Sequence, residues 1–245
     1  MGKQAYRWGL VIVLLIAFGA RVYRLDQQSF WNDEGNSASL SGRSAQLIIE
    51  GTASDVHPPL YYLILRGWWP LAGQTDFSLR YISVVAGVLQ VAATIAIGRM
   101  WLSRTGALGV GILVSLSPPL VYYSQEARMY GLLGAIATFS MLTLLKGIKY
   151  EVESKKYEGA PHTYHLSLIT SYCLLNILGL YTHYVYPAVI LAQGCIVLLW
   201  TIAQAGFDVR SIRQKSWRWL VSVIVALLVY APWFPIFLRT GSSTR

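Results

Sequence analysis

Phe30-Trp31-Asn32-Asp33-Glu34-Gly35-Asn36-Ser37 places two adjacent acids in a polar stretch directly after the first apolar run of the chain. Charged side chains at a membrane boundary are expensive to hold near lipid, so they mark either a site or a solvated loop. The plainer reading is a surface loop, because adjacent carboxylates are common in solvent. Which reading holds depends on whether the neighbouring apolar runs cross a membrane.

Composition says that they do. Of 245 residues, 55% are hydrophobic and 13% charged, and mean hydropathy is +0.47. A soluble domain carries about 25% charged residues, so this chain lacks the polar surface to dissolve. The expected fold class is an all-α polytopic membrane protein. Sixteen Tyr and nine Trp suit many interfacial belts. The formal charge of +9 would suggest nucleic acid in a soluble protein. Here Lys and Arg sit between apolar runs, so membrane orientation and phosphate binding explain them better and no nucleic-acid partner is expected. Cys173 and Cys195 both lie inside apolar runs, which implies neither a disulfide framework nor a metal cluster.

The first apolar run covers residues 8–20 and continues through Val22 and Tyr23. At about 15 residues it is shorter than the ~20 that span a bilayer. Snorkelling of Arg21 and Arg24 extends it into a first spanning helix. A cleaved signal peptide, with Ala17-Phe18-Gly19 as the cleavage region, is the alternative reading. Residues 25–56 read as a long polar loop holding the acidic pair. Within it, 39–50 has apolar residues at helical spacing, which predicts a short amphipathic helix on the membrane or packed against the protein. Pro58-Pro59 predicts a helix start, giving a helix of about 13 residues, too short to cross and therefore interfacial or re-entrant. Further spans are predicted at 80–97, 107–123, 129–145, 166–181, 185–205 and 219–238, making about seven with the first. Residues 146–165 are polar and mixed in charge.

The positive-inside rule tests this topology. With the Pro58 helix not spanning, twelve of the 20 basic residues fall on the cytoplasmic side. If that helix crossed, the basic clusters after Arg99 would lie outside. The seven-span topology puts Asp33, His57, Arg80, Arg128 and His183 on one side, the outer face. Acids there supply negative charge, and His57, Arg80 and Arg128 supply donors and positive charge. This combination suits transfer from a phosphate-linked leaving group, whose charge needs Arg or His while the incoming hydroxyl needs a base.

Four stretches in this order carry a family resemblance: Trp31-Asn32-Asp33-Glu34; His57-Pro58-Pro59-Leu60-Tyr61-Tyr62; Asp76-Phe77-Ser78-Leu79-Arg80; and Ser117-Pro118 leading into Tyr123-Ser124-Gln125-Glu126-Ala127-Arg128-Met129-Tyr130. Together they resemble the GT-C membrane glycosyltransferases, in the branch of dolichyl-phosphate-mannose protein mannosyltransferases and lipid A aminoarabinose transferases. Thr182-His183-Tyr184 fits the same group. The resemblance covers the whole chain, residues 1–245, as one GT-C transmembrane module with an outer-face catalytic loop at 24–80. Each motif is weak alone, and the order gives them weight.

The resemblance implies an inverting glycosyltransferase. It moves a sugar from a polyprenyl-phosphate carrier to an acceptor hydroxyl on a protein, lipid or glycan, at the outer face of the plasma membrane. Asp33 would be the general base, with Glu34 orienting the loop or acting as a second candidate base. His57, Arg80, Glu126, Arg128, Tyr130, His183 and Tyr184 would line the substrate site. No metal or other cofactor is implied.

Plainer roles stand beside these. Arg128 and Arg80 also read as membrane-boundary anchors, His57 as a turn residue, His183 as a hydrogen-bonded residue at a helix end, and Glu126 as a partner of Arg128. The chain departs from the family in two ways. The family's further C-terminal spans and soluble domain do not follow, which suggests a truncated piece, a minimal transferase or part of a split enzyme. Also, Leu132-Leu133 stands where some relatives carry an acid. A non-enzymatic lipid-linked sugar transporter and a partner subunit that keeps the fold are the competing classes.

Overall fold

The computed structural model describes residues 1–53, 57–154, 162–205 and 208–242. The end of the loop read at 25–56, part of the polar stretch at 146–165, and Lys155, Lys156 and Arg245 of the basic residues counted lie outside these. The described residues form helices and connecting turns, with no strand among them. The chain divides into two compact units, Met1–Thr138 and Phe139–Arg245.

In the first unit, α1 (Lys3–Val22) is 20 residues long. The expected short first segment is corrected: the helix takes in Lys3 to Arg7 as well. At 1.5 Å per residue it reaches about 30 Å, enough to span without help. Arg21 does not snorkel either; it is fully buried.

The expected polar loop at 25–56 is largely helical. Helix α2 (Asn32–Ser41) starts after Trp31, whose backbone is extended, and it carries Asp33 and Glu34 in its first turn. Acids there complement the positive end of the helix dipole. Gly35, Asn36, Ser37 and Ser39 are weak helix formers, which hid this helix in the sequence. Burial of Glu34, Ser37 and Ser41 overrides that weakness. The predicted amphipathic helix is α3 (Ala45–Ala53), shorter than 39–50 because 39–41 belongs to α2. Ile48 and Thr52 are buried while Leu47 and Ile49 are exposed.

Helix α4 (Leu60–Ala72) follows Pro58-Pro59 as predicted, with 13 residues and Pro70 inside it. Helix α5 (Asp76–Gly98) is capped by Thr75, whose side chain accepts from the Ser78 N–H. The predicted unbroken span at 107–123 is instead two helices, α6 (Arg104–Ser115) and α7 (Pro118–Ser124), bent by 61°. Pro118 and Pro119 have no N–H, so the carbonyls of Val114 and Ser115 lose their helical donors and the chain turns. One apolar cluster joins Val13 and Ala17 of α1 to Val91 and Ile95 of α5 and Ala107 and Leu108 of α6. A second joins Ile48, Tyr61, Tyr62, Leu65 and Leu79 to Ala127 and Met129.

Helix α8 (Tyr130–Ser154) carries the chain into the second unit, followed by α9 (His162–Leu180), α10 (Tyr186–Ala205) and α11 (Val209–Tyr230). A 3₁₀ turn at Ala231–Trp233 leads into α12 (Phe234–Ser242). Inside this unit the Trp219 Nε1–H donates to the Tyr172 hydroxyl (2.9 Å), which donates to Gln193 Oε1 (2.7 Å). Gln193 Nε2 donates in turn to Ser140 (2.7 Å).

Among the described residues, five helices are long and apolar enough to cross a membrane, and the bent pair α6–α7 makes a sixth. The apolar part of α9, His165–Leu180, is shorter. The chain is a multi-pass α-helical membrane protein, with an apolar element at each of the seven predicted positions.

Candidate active site

The site is built where the start of α2 meets the segment 125–128, between α7 and α8. Asp33 and Glu34 are adjacent but face different partners. Glu34 is 1% exposed and fully engaged. Arg80 Nε donates to Glu34 Oε1 (2.8 Å) and Arg80 Nη2 to Glu34 Oε2 (2.6 Å), a bidentate pair. The Ala127 N–H also donates to Glu34 Oε1 (2.7 Å). Arg80 Nη1 donates to the carbonyls of Leu25 and Gln28, both at 2.7 Å, and the guanidinium lies over the Phe30 ring. This pair fastens α2 to α5, to the turn before α2 and to the 125–128 segment.

Asp33 remains 39% exposed at its side chain and pairs with Arg128, Oδ2 to Nη2 at 3.3 Å. The same Nη2 lies 3.5 Å from His57 Nε2. Arg128 is itself 5% exposed, and its Nε is buried without a hydrogen-bond partner. Tyr130 lies under its guanidinium, 5.8 Å from Cζ to the ring centroid. Ser83 Oγ donates to the Arg128 carbonyl (3.2 Å) and shares a hydrogen bond with the Tyr61 hydroxyl (3.3 Å). Burial pushes the Tyr61 hydroxyl pKa well above its ordinary value. A buried cation, an accessible carboxylate and an imidazole thus converge at one place.

The Glu126–Arg128 pairing that stood as a plainer role beside substrate binding is not among the ion pairs of the described residues. Arg128 pairs with Asp33, and Glu126 lies near the Tyr122 hydroxyl and within the field of Arg128. Burial pushes the Glu126 carboxyl up, with the negative charges of Glu34 and Asp33 adding to that shift. Glu126, Tyr122, Trp31, Gln28, Arg24 and the Glu34–Arg80 pair line a polar cavity of about 200 Å³. Asp33, His57 and Arg128 are not among its lining residues.

Seven of the nine predicted site residues therefore gather in the first unit: Asp33, Glu34, His57, Arg80, Glu126, Arg128 and Tyr130. His183 and Tyr184 belong to the second unit. There His183 Nδ1 accepts from the Val185 N–H (3.0 Å), and the Tyr184 hydroxyl accepts from Trp233 Nε1 (3.2 Å). Sequence reasoning missed Gln125, whose amide reaches the α1 carbonyls of Ala20 and Arg21 and that of Tyr23 just past the helix, and the Ala127 N–H. A backbone donor leaves no side-chain signal, and Gln125 stood in the quoted 123–130 motif without a role of its own. No group of three or more His, Cys, Asp or Glu side chains able to hold a metal ion occurs among the described residues.

No protein-family model matches the chain, and no curated protein matches it in sequence. The helix arrangement defines the class of fold: it is that of the GT-C membrane proteins. The protein O-mannosyltransferase Pmt1-Pmt2 complex of S. cerevisiae, solved with the sugar donor bound, matches with a TM-score of 0.68 at 16% identity. The match covers 98% of this chain and 34% of that one. ArnT from Cupriavidus metallidurans, solved in the apo state, matches with a TM-score of 0.64 at 16% identity over 96% of this chain and 42% of its own. The chain thus spans less than half the length of either solved structure it matches.

Proposed function

We propose that this chain is a membrane glycosyltransferase module. It transfers a sugar from a polyprenyl-phosphate carrier to an acceptor hydroxyl, with inversion, at the outer face of the plasma membrane. The observation that carries the reading is the Asp33–Arg128–His57 cluster, a half-exposed carboxylate 3.3 Å from a buried guanidinium that also reaches an imidazole. Support comes from the fold shared with Pmt1-Pmt2, a protein O-mannosyltransferase solved with its sugar donor.

The chemistry follows from the parts. The acceptor oxygen attacks the anomeric carbon while Asp33 takes its proton. The bond from that carbon to the phosphate oxygen breaks, and the carrier leaves as a phosphate monoester. Arg128, with His57 beside it, holds the charge that grows on the leaving phosphate. Arg128 pairs with Asp33; a carrier phosphate beside the guanidinium would compete for it and leave the carboxylate available as base. Glu34, saturated by Arg80 and Ala127, positions the loop rather than accepting a proton. The acceptor is a protein, lipid or glycan hydroxyl.

The test reads the phosphate grip by itself. Purified protein in lipid nanodiscs is titrated with undecaprenyl phosphate, comparing wild type, Asp33→Asn and Arg128→Ala. Asp33→Asn is expected to bind at least as tightly as wild type, and Arg128→Ala to bind at least tenfold more weakly. Equal binding by wild type and Arg128→Ala would remove the phosphate grip from the account.

A further inference from the structure

Arg21 is a guanidinium inside the first spanning helix, fully buried, and no carboxylate pairs with it among the described residues. An unpaired buried charge is costly, so something else must offset it. What surrounds it is the ends of helices. Arg21 sits in the last turn of α1, and its Nη1 donates to the Ala17 carbonyl (3.0 Å). The same Nη1 donates to the carbonyl of Ser115, the last residue of α6 (3.1 Å). Its Nε donates to the hydroxyl of Ser124, the last residue of α7 (3.2 Å). Three helix C-termini, each the negative end of a dipole, converge on one positive charge.

The Ser115 carbonyl is not an arbitrary acceptor. Its helical donor would be the N–H of Pro119, which does not exist. Arg21 supplies the missing donor at the bend. The contact is reciprocal: Gln125 Nε2 donates to the α1 carbonyls of Ala20 (3.4 Å) and Arg21 (3.2 Å) and to that of Tyr23 (2.9 Å). These are C-terminal carbonyls that a helix leaves without internal donors. The packing is close, since a Cβ on Gly87 of α5 would lie 2.2 Å from Ser124 Oγ and 2.5 Å from Arg21 Nε. Directly after Ser124 and Gln125 come Ala127, which holds Glu34, and Arg128, which holds Asp33.

We propose that Arg21 is a positioning residue for the phosphate grip: by fixing the α6–α7 bend against the end of α1, it sets segment 125–128 so that Arg128 meets Asp33 and His57. This rests on the reading of Arg128 as the residue that holds the carrier phosphate. A purely structural Arg21 would, when lost, loosen α1, α5 and α6 together. A positioning Arg21 loosens residues 124–128 selectively.

The experiment is hydrogen–deuterium exchange of the full chain in nanodiscs, paired with undecaprenyl phosphate titration, on wild type, Arg21→Met and Arg21→Lys. Arg21→Met is expected to raise exchange in peptides covering 124–128, including the Ala127 amide, and to weaken binding tenfold or more. Exchange in the middles of α1 and α5 should stay as in wild type. Arg21→Lys, which keeps the charge but not the fork of donors, should fall between. If Arg21→Met does not fold, Arg21→Lys and Ser124→Ala carry the test, each expected to loosen the same segment less. Unchanged exchange at 124–128, or loss of protection through α1, α5 and α6 alike, overturns the proposal. Wild type that fails to bind the carrier while the Arg21 variants still loosen 124–128 counts against the transfer reading and for the positioning role.

Discussion

Two adjacent carboxylates on one turn of α2 have opposite surroundings, and that difference underlies the separate roles proposed for them. Glu34 is closed in by three donors, whereas Asp33 keeps a side chain that a substrate can reach. Breaking a buried ion pair by removing one partner costs about 3–5 kcal/mol, because the other charge is left stranded. Arg80→Met should therefore be strongly destabilised in detergent thermal unfolding, and Asp33→Asn less so, because the Asp33 side chain is 39% exposed and solvent weakens its pair with Arg128. Glu126 gives a pH test. Its carboxyl pKa is raised by burial, so the folded state holds the proton more tightly than the unfolded chain. Wild-type stability should then fall as pH rises from the ordinary carboxylate range through the raised pKa, and Glu126→Gln should flatten that decline. The acidic pair was legible in the sequence, and so were His57 and Arg128. Which acid is buried was not, because it depends on Arg80 and the Ala127 amide arriving from residues 46 and 93 positions away.

At the scale of elements, spans were easy to read and interruptions were not. The apolar runs that became α5, α8 and α10 announced themselves by length and hydropathy. The α6–α7 bend did not, although Pro118-Pro119 was visible, because proline is tolerated in membrane helices when neighbours satisfy the freed carbonyls. Arg21 is that neighbour, and its position at the end of an apolar run made it look like a snorkelling residue. Helix α2 was hidden by Gly, Asn and Ser, whose low propensity is overcome by packing that the sequence does not display. The close approach at Gly87 is an element-scale property with its own consequence. Gly87→Val must push Ser124 or Arg21 aside, so it should destabilise by about 1–3 kcal/mol, as overpacking does. Thermal unfolding against Gly109→Val, at a glycine with open space around it, provides the control.

At the scale of the whole molecule, the chain has the helical fold of Pmt1-Pmt2 and ArnT at sequence identities too low for sequence comparison to reveal. The proposed orientation rests on charge. Seven of the eleven acids and the gathered site residues fall on the predicted outer side, twelve of the 20 basic residues on the other. Single cysteines at the exposed positions Ser29 and Thr105, in a chain lacking Cys173 and Cys195, should react oppositely with a membrane-impermeant maleimide on intact cells. Ser29→Cys should label and Thr105→Cys should not; the reverse pattern would put the site on the cytoplasmic face.

The most direct measurement is release of free polyprenyl phosphate from a native lipid-linked sugar pool, by purified protein in lipid with total membrane acceptors present. Wild type is expected to release carrier and pass the sugar on, while Asp33→Asn binds the carrier and releases none. Release by Asp33→Asn at the wild-type rate, or binding by wild type without release, would contradict the account of Asp33 as the base of a sugar transfer.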